Sequence, residues 1–185
     1  MKGIVKRAGW IALALLFVVT GLGVGIYGFW QATHQSSSSS NSSKANSNNI
    51  TCKGGSAVNE PTGKLEGTKL AGFTPVKKTD LLQCTDLKVG TGALATATSK
   101  ITANYTGAVA STGVIFQSSL DNAGQPFTTT LDKVIPGWAD GIPGMKVGGE
   151  RRLLIPSAYA YGPSAQPGIP ANSDLVFDIT LLAVQ

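Results

Sequence analysis

A chain of 185 residues with a net charge of +5 has room for one ordinary domain with appendages. The charge is unevenly placed: residues 1–70 hold seven Lys and Arg against two Asp and Glu, whereas residues 71–185 hold eight of each. The globular part therefore lacks the basic excess that a nucleic-acid partner would need, no nucleic acid is expected, and Arg151-Arg152 reads as two solvated strand residues.

Taken in chain order, residues 8–30 form an apolar run of 23 without a charged side chain. A helix of about 20 such residues crosses a hydrocarbon core. Lys2, Lys6 and Arg7 precede the run and no further Lys or Arg occurs before Lys44. The positive-inside rule then predicts a single-pass protein with a cytoplasmic N-terminus and an extracytoplasmic C-terminal domain. A cleaved signal peptide is the competing reading, with an apolar core of about 7–15 residues. The longer run, and the bulky Phe29-Trp30 where a small-residue cleavage site would be wanted, favour an uncleaved signal-anchor. Gly21 and Gly25 make one G-x-x-x-G, a weak pairing pattern in a glycine-rich span, so a monomer is expected.

Residues 35–49 are Ser, Asn, Gln and Ala with a single Lys. They cannot bury enough apolar surface to offset ordering entropy, so a disordered linker is expected, spanning on the order of 20 Å. Residues 52–72 show little periodicity and read as a loosely ordered extension. Cys52 and Cys84 belong to no C-x-x-C pair. They either form one disulfide, if the region is extracytoplasmic, or stand as two separate thiols. The expected organisation is a cytoplasmic tip and transmembrane segment over 1–30, linker and extension over 31–70, and a folded domain over 71–185. An anchor followed by a Ser/Asn stalk is compatible with a bacterial cell envelope.

Within the folded part, Ile101, Ala103 and Tyr105 alternate with Thr102, Asn104 and Thr106, which predicts a strand over 101–109. Residues 175–184 place Leu175, Phe177, Ile179, Leu181 and Ala183 on one face. Further strands are expected over 127–131 and 152–155, and one short helix over 137–145, where Pro143 disfavours anything longer. The class is α+β, an antiparallel sheet with a single short helix packed on it.

The only histidine is His34, so the domain holds no Ser-His-Asp or Cys-His unit and no histidine metal site. Its Asp residues stand in turn-like contexts and read as solvent-facing caps. An activity here has to work without nucleophile, general base or cofactor. Aromatic side chains are the remaining resource: Tyr105, Phe116, Phe127, Trp138, Tyr159, Tyr161 and Phe177, several of them in Gly/Pro-rich loops. Composition leaves pocket and core equally open for them.

The order of motifs is more telling. Asp86-Leu87-Lys88-Val89-Gly90-Thr91-Gly92, Asn104-Tyr105-Thr106-Gly107 and Phe116-Gln117-Ser118-Ser119 come first. Pro126-Phe127, Val134-Ile135-Pro136-Gly137-Trp138 and Met145-Lys146-Val147-Gly148-Gly149 follow, then Tyr159-Ala160-Tyr161-Gly162 and Leu175-Val176-Phe177-Asp178. In this order and spacing the chain resembles the FKBP family of peptidyl-prolyl isomerases from about Leu82 to its end. The resemblance implies a twisted antiparallel sheet wrapped around one short helix. It implies a pocket floored by Trp138 and walled by Tyr105, Phe116, Phe127, Val134, Ile135, Ile169 and Phe177. Tyr161 and the N–H of Ile135 would hold the carbonyls of a bound peptide. The ligands it implies are proline-containing polypeptides and rapamycin-like macrolides. Three departures stand out: Gln117 where the family usually has Asp, no Arg in residues 120–124, and two residues fewer over 131–134. The neutral amide is a reason for lower activity or inhibitor affinity. It keeps open a proline-peptide-binding chaperone or docking module with little catalysis, and a merely structural surface domain.

Overall fold

The computed structural model describes residues 50–57 and 62–185. The apolar run and the Ser/Asn tract, and with them the expected anchor, orientation and linker, lie outside the described residues. Among the described residues no helix is long and apolar enough to cross a membrane.

The elements are β1 (Lys53–Gly54), β2 (Gln83–Lys88), β3 (Lys100–Val109), β4 (Ile115–Ser118), β5 (Phe127–Thr130), α1 (Pro136–Gly141), β6 (Glu150–Ile155) and β7 (Leu175–Val184). Short 3-10 turns occupy Ser119–Asp121, Leu131–Lys133 and Ser157–Tyr159. The strands form one sheet in the order β1-β2-β6-β7-β3-β4, with β5 also paired to β3. β3 pairs with β7 along its length and shares its other side between β5, at Lys100–Ala103, and β4, at Thr106–Ala108. All pairings are antiparallel except β1 with β2.

α1 is six residues long and starts on Pro136, whose fixed φ and missing N–H suit a first helical turn. It stops short of the expected 145, since Pro143 cannot continue it and Gly144 is left-handed at φ +88°. Gly137 and Gly141, four apart, share one face. A Cβ on Gly137 would overlap Ile155, and one on Gly141 would come within 2.7 Å of Leu153. The helix therefore rests directly on β6, and this contact seats Trp138 over the sheet.

Alternation holds through Tyr105, but from Thr106 to Val109 every residue of β3 is buried, as is every residue of β7 from Leu175 to Ile179. The cause is a second layer. Leu65 and Leu70, with Phe73, pack on Ala108, Ile115 and Val176 on the sheet's outer face. The loosely ordered reading of 52–72 is therefore wrong for residues 65–72. Asp121 accepts hydrogen bonds from the N–H groups of Leu65 (2.6 Å) and Glu66 (2.7 Å). Gly67 N–H donates to Ile115 O, Ile115 N–H to Thr68 O, and Leu70 N–H to Gly113 O. Two leucines and a phenylalanine in an irregular segment carry no periodicity, which is why the sequence is silent about this layer.

The two arginines also depart from the solvated reading. Arg151 is 5% exposed. It pairs with Asp86 at 2.7 Å and donates to the carbonyls of Gly141 (2.8 Å), the last residue of α1, and Pro143 (3.2 Å), just past it. Arg152 forms a two-pronged pair with Asp178, at 2.6 and 2.7 Å. Asp174 and Asp178 are likewise buried rather than solvent-facing. Strand register sets both ion pairs: Asp86 and Arg151 are partners across β2 and β6, and Arg152 and Asp178 across β6 and β7.

Cys52 and Cys84 form a disulfide across a sequence separation of 32. It holds β1 beside β2. Closing a loop of that length is worth about 3.7 kcal/mol in the chain-entropy view. A Cys52→Ser/Cys84→Ser chain is expected to lose about that much unfolding free energy in urea. Equal midpoints with and without the bridge would contradict this.

Candidate active site

β3 directs Tyr105 toward the inner face, β7 supplies Phe177, β4 supplies Phe116, β5 begins at Phe127, and α1 lays Trp138 among them. Trp138 meets Phe177 at 5.4 Å between ring centroids, Tyr105 at 5.5 Å and Phe127 at 6.2 Å, all close to perpendicular. Tyr105 meets Phe127 at 5.9 Å, and Phe116 meets Phe177 at 5.8 Å. Edge-to-face pairs place positive ring edges on negative faces and add about 0.5–1.5 kcal/mol each beyond area burial. The five rings thus form one continuous, stiff cluster.

Gly107 makes part of this possible. It is the register partner of Phe177, and a Cβ there would lie 2.6 Å from Phe177 and 2.7 Å from Phe116. The strand needs no left-handed turn at this place; it needs an absent side chain. Sequence reasoning assigned Gly107 to a motif without seeing this role, which depends on the β3–β7 register.

The remaining residues singled out from sequence gather nearby to different degrees. Ile135 is buried at the N-cap of α1, and its carbonyl accepts from the N–H groups of Trp138 (2.9 Å) and Ala139 (3.2 Å). Val134 and Phe127 are half-buried. Ile169 is buried, and Gly168 before it brings the loop against Phe116. Gln117 is half-buried on β4; its Oε1 is enclosed and accepts no hydrogen bond from the described residues. Tyr161 is half-buried in the loop between β6 and β7, whereas Tyr159 is exposed.

Burial pushes the Tyr105 hydroxyl up to about 12. Burial, and then the nearness of Tyr105, raises Tyr161 as well. Both hydroxyls therefore keep their protons at neutral pH and remain hydrogen-bond donors. Asp174, near the same loop, behaves oppositely. Burial pushes its carboxyl up, but hydrogen bonds from Lys78, Thr79 and Ser157 outweigh this and hold it below the ordinary carboxylate range.

An antiparallel sheet around one short helix, with an aromatic cluster between them, defines an FKBP-like fold, and comparison with known proteins bears on the same point. The profile of the FKBP-type peptidyl-prolyl cis-trans isomerases matches residues 92–182. The crystal structure of a peptidyl-prolyl cis-trans isomerase from Pseudomonas syringae pv. tomato is 35% identical, covers 60% of this chain and 80% of its own, and superposes with a TM-score of 0.52. AtFKBP13 is 35% identical over 58% of this chain and 96% of its own, with a TM-score of 0.51. FK506-binding protein 4 of Aspergillus fumigatus is 42% identical over 127 residues, 68% of this chain and 25% of the relative. The chain belongs to the family of FKBP-type peptidyl-prolyl cis-trans isomerases. It spans about a quarter of the length of the fungal relatives it matches.

Proposed function

We propose that this chain accelerates cis–trans isomerisation of X-Pro bonds in extracytoplasmic polypeptides. The observation that carries the reading is the five-ring cluster centred on Trp138, in a chain of this family. Amide resonance sets a barrier of about 18–20 kcal/mol and places negative charge on the carbonyl oxygen, which water stabilises. The twisted transition state carries less of that charge. A water-poor aromatic surface therefore favours the twisted state over the planar one, and each 1.36 kcal/mol of difference gives about tenfold in rate. In this reading Trp138 lies under the proline ring, with Tyr105, Phe116, Phe127, Val134, Ile135, Ile169 and Phe177 around it. The Tyr161 hydroxyl and the Ile135 N–H hold peptide carbonyls. Rapamycin-like macrolides would compete for the same place.

The Cys52–Cys84 disulfide supports an oxidising compartment. The N-terminal apolar run, with Lys2, Lys6 and Arg7 before it, supports a single-pass anchor with this domain outside the cytoplasm, and the Ser/Asn stalk behind it is compatible with a bacterial envelope.

The test is a coupled X-Pro peptide assay, or refolding of a proline-limited protein, with the chain added. Acceleration over buffer is expected; folded protein that leaves the rate at the buffer value sinks the reading. Tyr161→Phe removes one donor, worth about 1 kcal/mol, and is expected to lower kcat/KM about five- to tenfold in the same assay. One observation favours a second reading, a binding module with little catalysis: the neutral Gln117, with its enclosed oxygen. Peptide binding without rate enhancement, and a Gln117→Asp variant that gains activity, would select it.

A further inference from the structure

We propose that Asp174 is a positioning residue for this reaction: its buried carboxylate closes the neck of the loop between β6 and β7 and so fixes Tyr161 and Ile169 against the aromatic cluster. The inference rests on the isomerase reading above.

The loop leaves β6 at Ile155 and enters β7 at Leu175. Its two ends meet at Asp174, which is 5% exposed. Oδ1 accepts from the N–H of Ser157 (2.8 Å) and from Lys78 Nζ (2.8 Å), and Oδ2 accepts from the N–H of Thr79 (2.7 Å). Lys78 Nζ also donates to Ser157 Oγ at 3.3 Å. The carbonyl of Ser157 in turn accepts from the N–H groups of Ala160 (3.0 Å) and Gly162 (2.8 Å), the two neighbours of Tyr161. Gly162 O accepts from Asn172 N–H at 2.7 Å, which draws the far limb of the loop to the same turn. An unbroken hydrogen-bond path therefore runs from one carboxylate to both flanks of Tyr161, then back to within two residues of Asp174. Gly162 and Asn172 turn the chain here with left-handed backbone at φ +55° and +57°, a conformation that Gly adopts freely and Asn readily.

The three donors include an ammonium, and charge-assisted bonds of this kind are about twice as strong as neutral ones. An Asn at this place keeps the shape but turns an NH2 toward donors. Pre-organisation of Tyr161 and Ile169 is then what is lost, and since both would touch the peptide in ground and transition states alike, the loss falls on KM.

The experiment measures kcat and KM on the chain with an X-Pro peptide, for wild type, Asp174→Asn, Tyr161→Phe and the double variant. About a tenfold fall in kcat/KM is expected for Asp174→Asn, carried by KM. In the Tyr161→Phe background the same change should cost less than half as much on a logarithmic scale, because the two residues act through one path. A purely structural role would lower the active fraction, leave KM unchanged and give additive losses; that result overturns the proposal. Asp174→Asn at wild-type rates also overturns it, with the isomerase reading intact, whereas an inactive wild type overturns both. Should Asp174→Asn not fold, Lys78→Gln decides: its side chain is 58% exposed, a two- to threefold rise in KM of about that size is expected, and an unchanged KM counts against the proposal.

Discussion

Arg152→Met should lower the unfolding free energy by about 3–5 kcal/mol, read as a shift of the urea midpoint at unchanged slope. The side chain is 12% exposed and its partner Asp178 5%. Its guanidinium serves both layers of the protein. Nε and Nη2 bind the Asp178 carboxylate, while Nη1 donates to Gly72 O (2.6 Å) and Nη2 to Ala71 O (2.8 Å). The Phe73 ring lies 5.6 Å from its central carbon. A Met of similar length fills the space but leaves Asp178 as a buried anion without its cation, and frees two carbonyls of the covering segment. The desolvation penalty of the orphaned charge, rather than the lost attraction, dominates the expected cost. Arg152→Met/Asp178→Leu should therefore recover part of the loss. A double variant less stable than the single one would contradict this account.

Trp138→Ala is the second large effect, expected at about 3–5 kcal/mol of unfolding free energy together with loss of proline-isomerase activity. The indole is wholly buried and meets three rings edge to face, so truncation removes transfer energy, opens a cavity and unties the cluster. Neighbouring side chains have little freedom to collapse into the space, because Gly137 and Gly141 already press the helix against β6. Trp138→Phe separates stability from chemistry. It retains an aromatic face at a smaller cavity cost, and should keep most of the stability while activity falls further than stability does. Full activity with Trp138→Ala, in a folded chain, would remove the indole from the proposed mechanism.

β3 and β7 were legible from their own residues, since alternation survives wherever one face is covered by the core and the other by less. Their second covered face was not, because Leu65 and Leu70 lie far from both strands in sequence and follow no period. The short helix was legible through Pro143, which limits its length, though its start was placed one residue late and its end four. Arg152 and Asp178, 26 residues apart, look like ordinary surface charges until the β6–β7 register sets them side by side. The pairing of Cys52 with Cys84 was undecidable for a similar reason: it requires β1 to lie beside β2, and two residues of strand announce nothing. At the candidate site, the aromatic set stood out by residue type and motif order. Gly107 and Asp174 did not, because one acts through absent atoms and the other through bonds to a distant stretch of chain.

Both borders of the sheet path are taken in part. β1 occupies the free side of β2, and Lys69 bridges to Val114 beside β4, so the stretch before β2 serves both borders. Extended polypeptides commonly dock by adding themselves as an extra ladder rung, and here the stretch before β2 already pairs with Thr85 and Asp86 on one border and with Val114 on the other. In the isomerase reading proposed above, a visiting chain is held by contour and by one or two carbonyl contacts rather than by an added strand, a mode that suits varied clients.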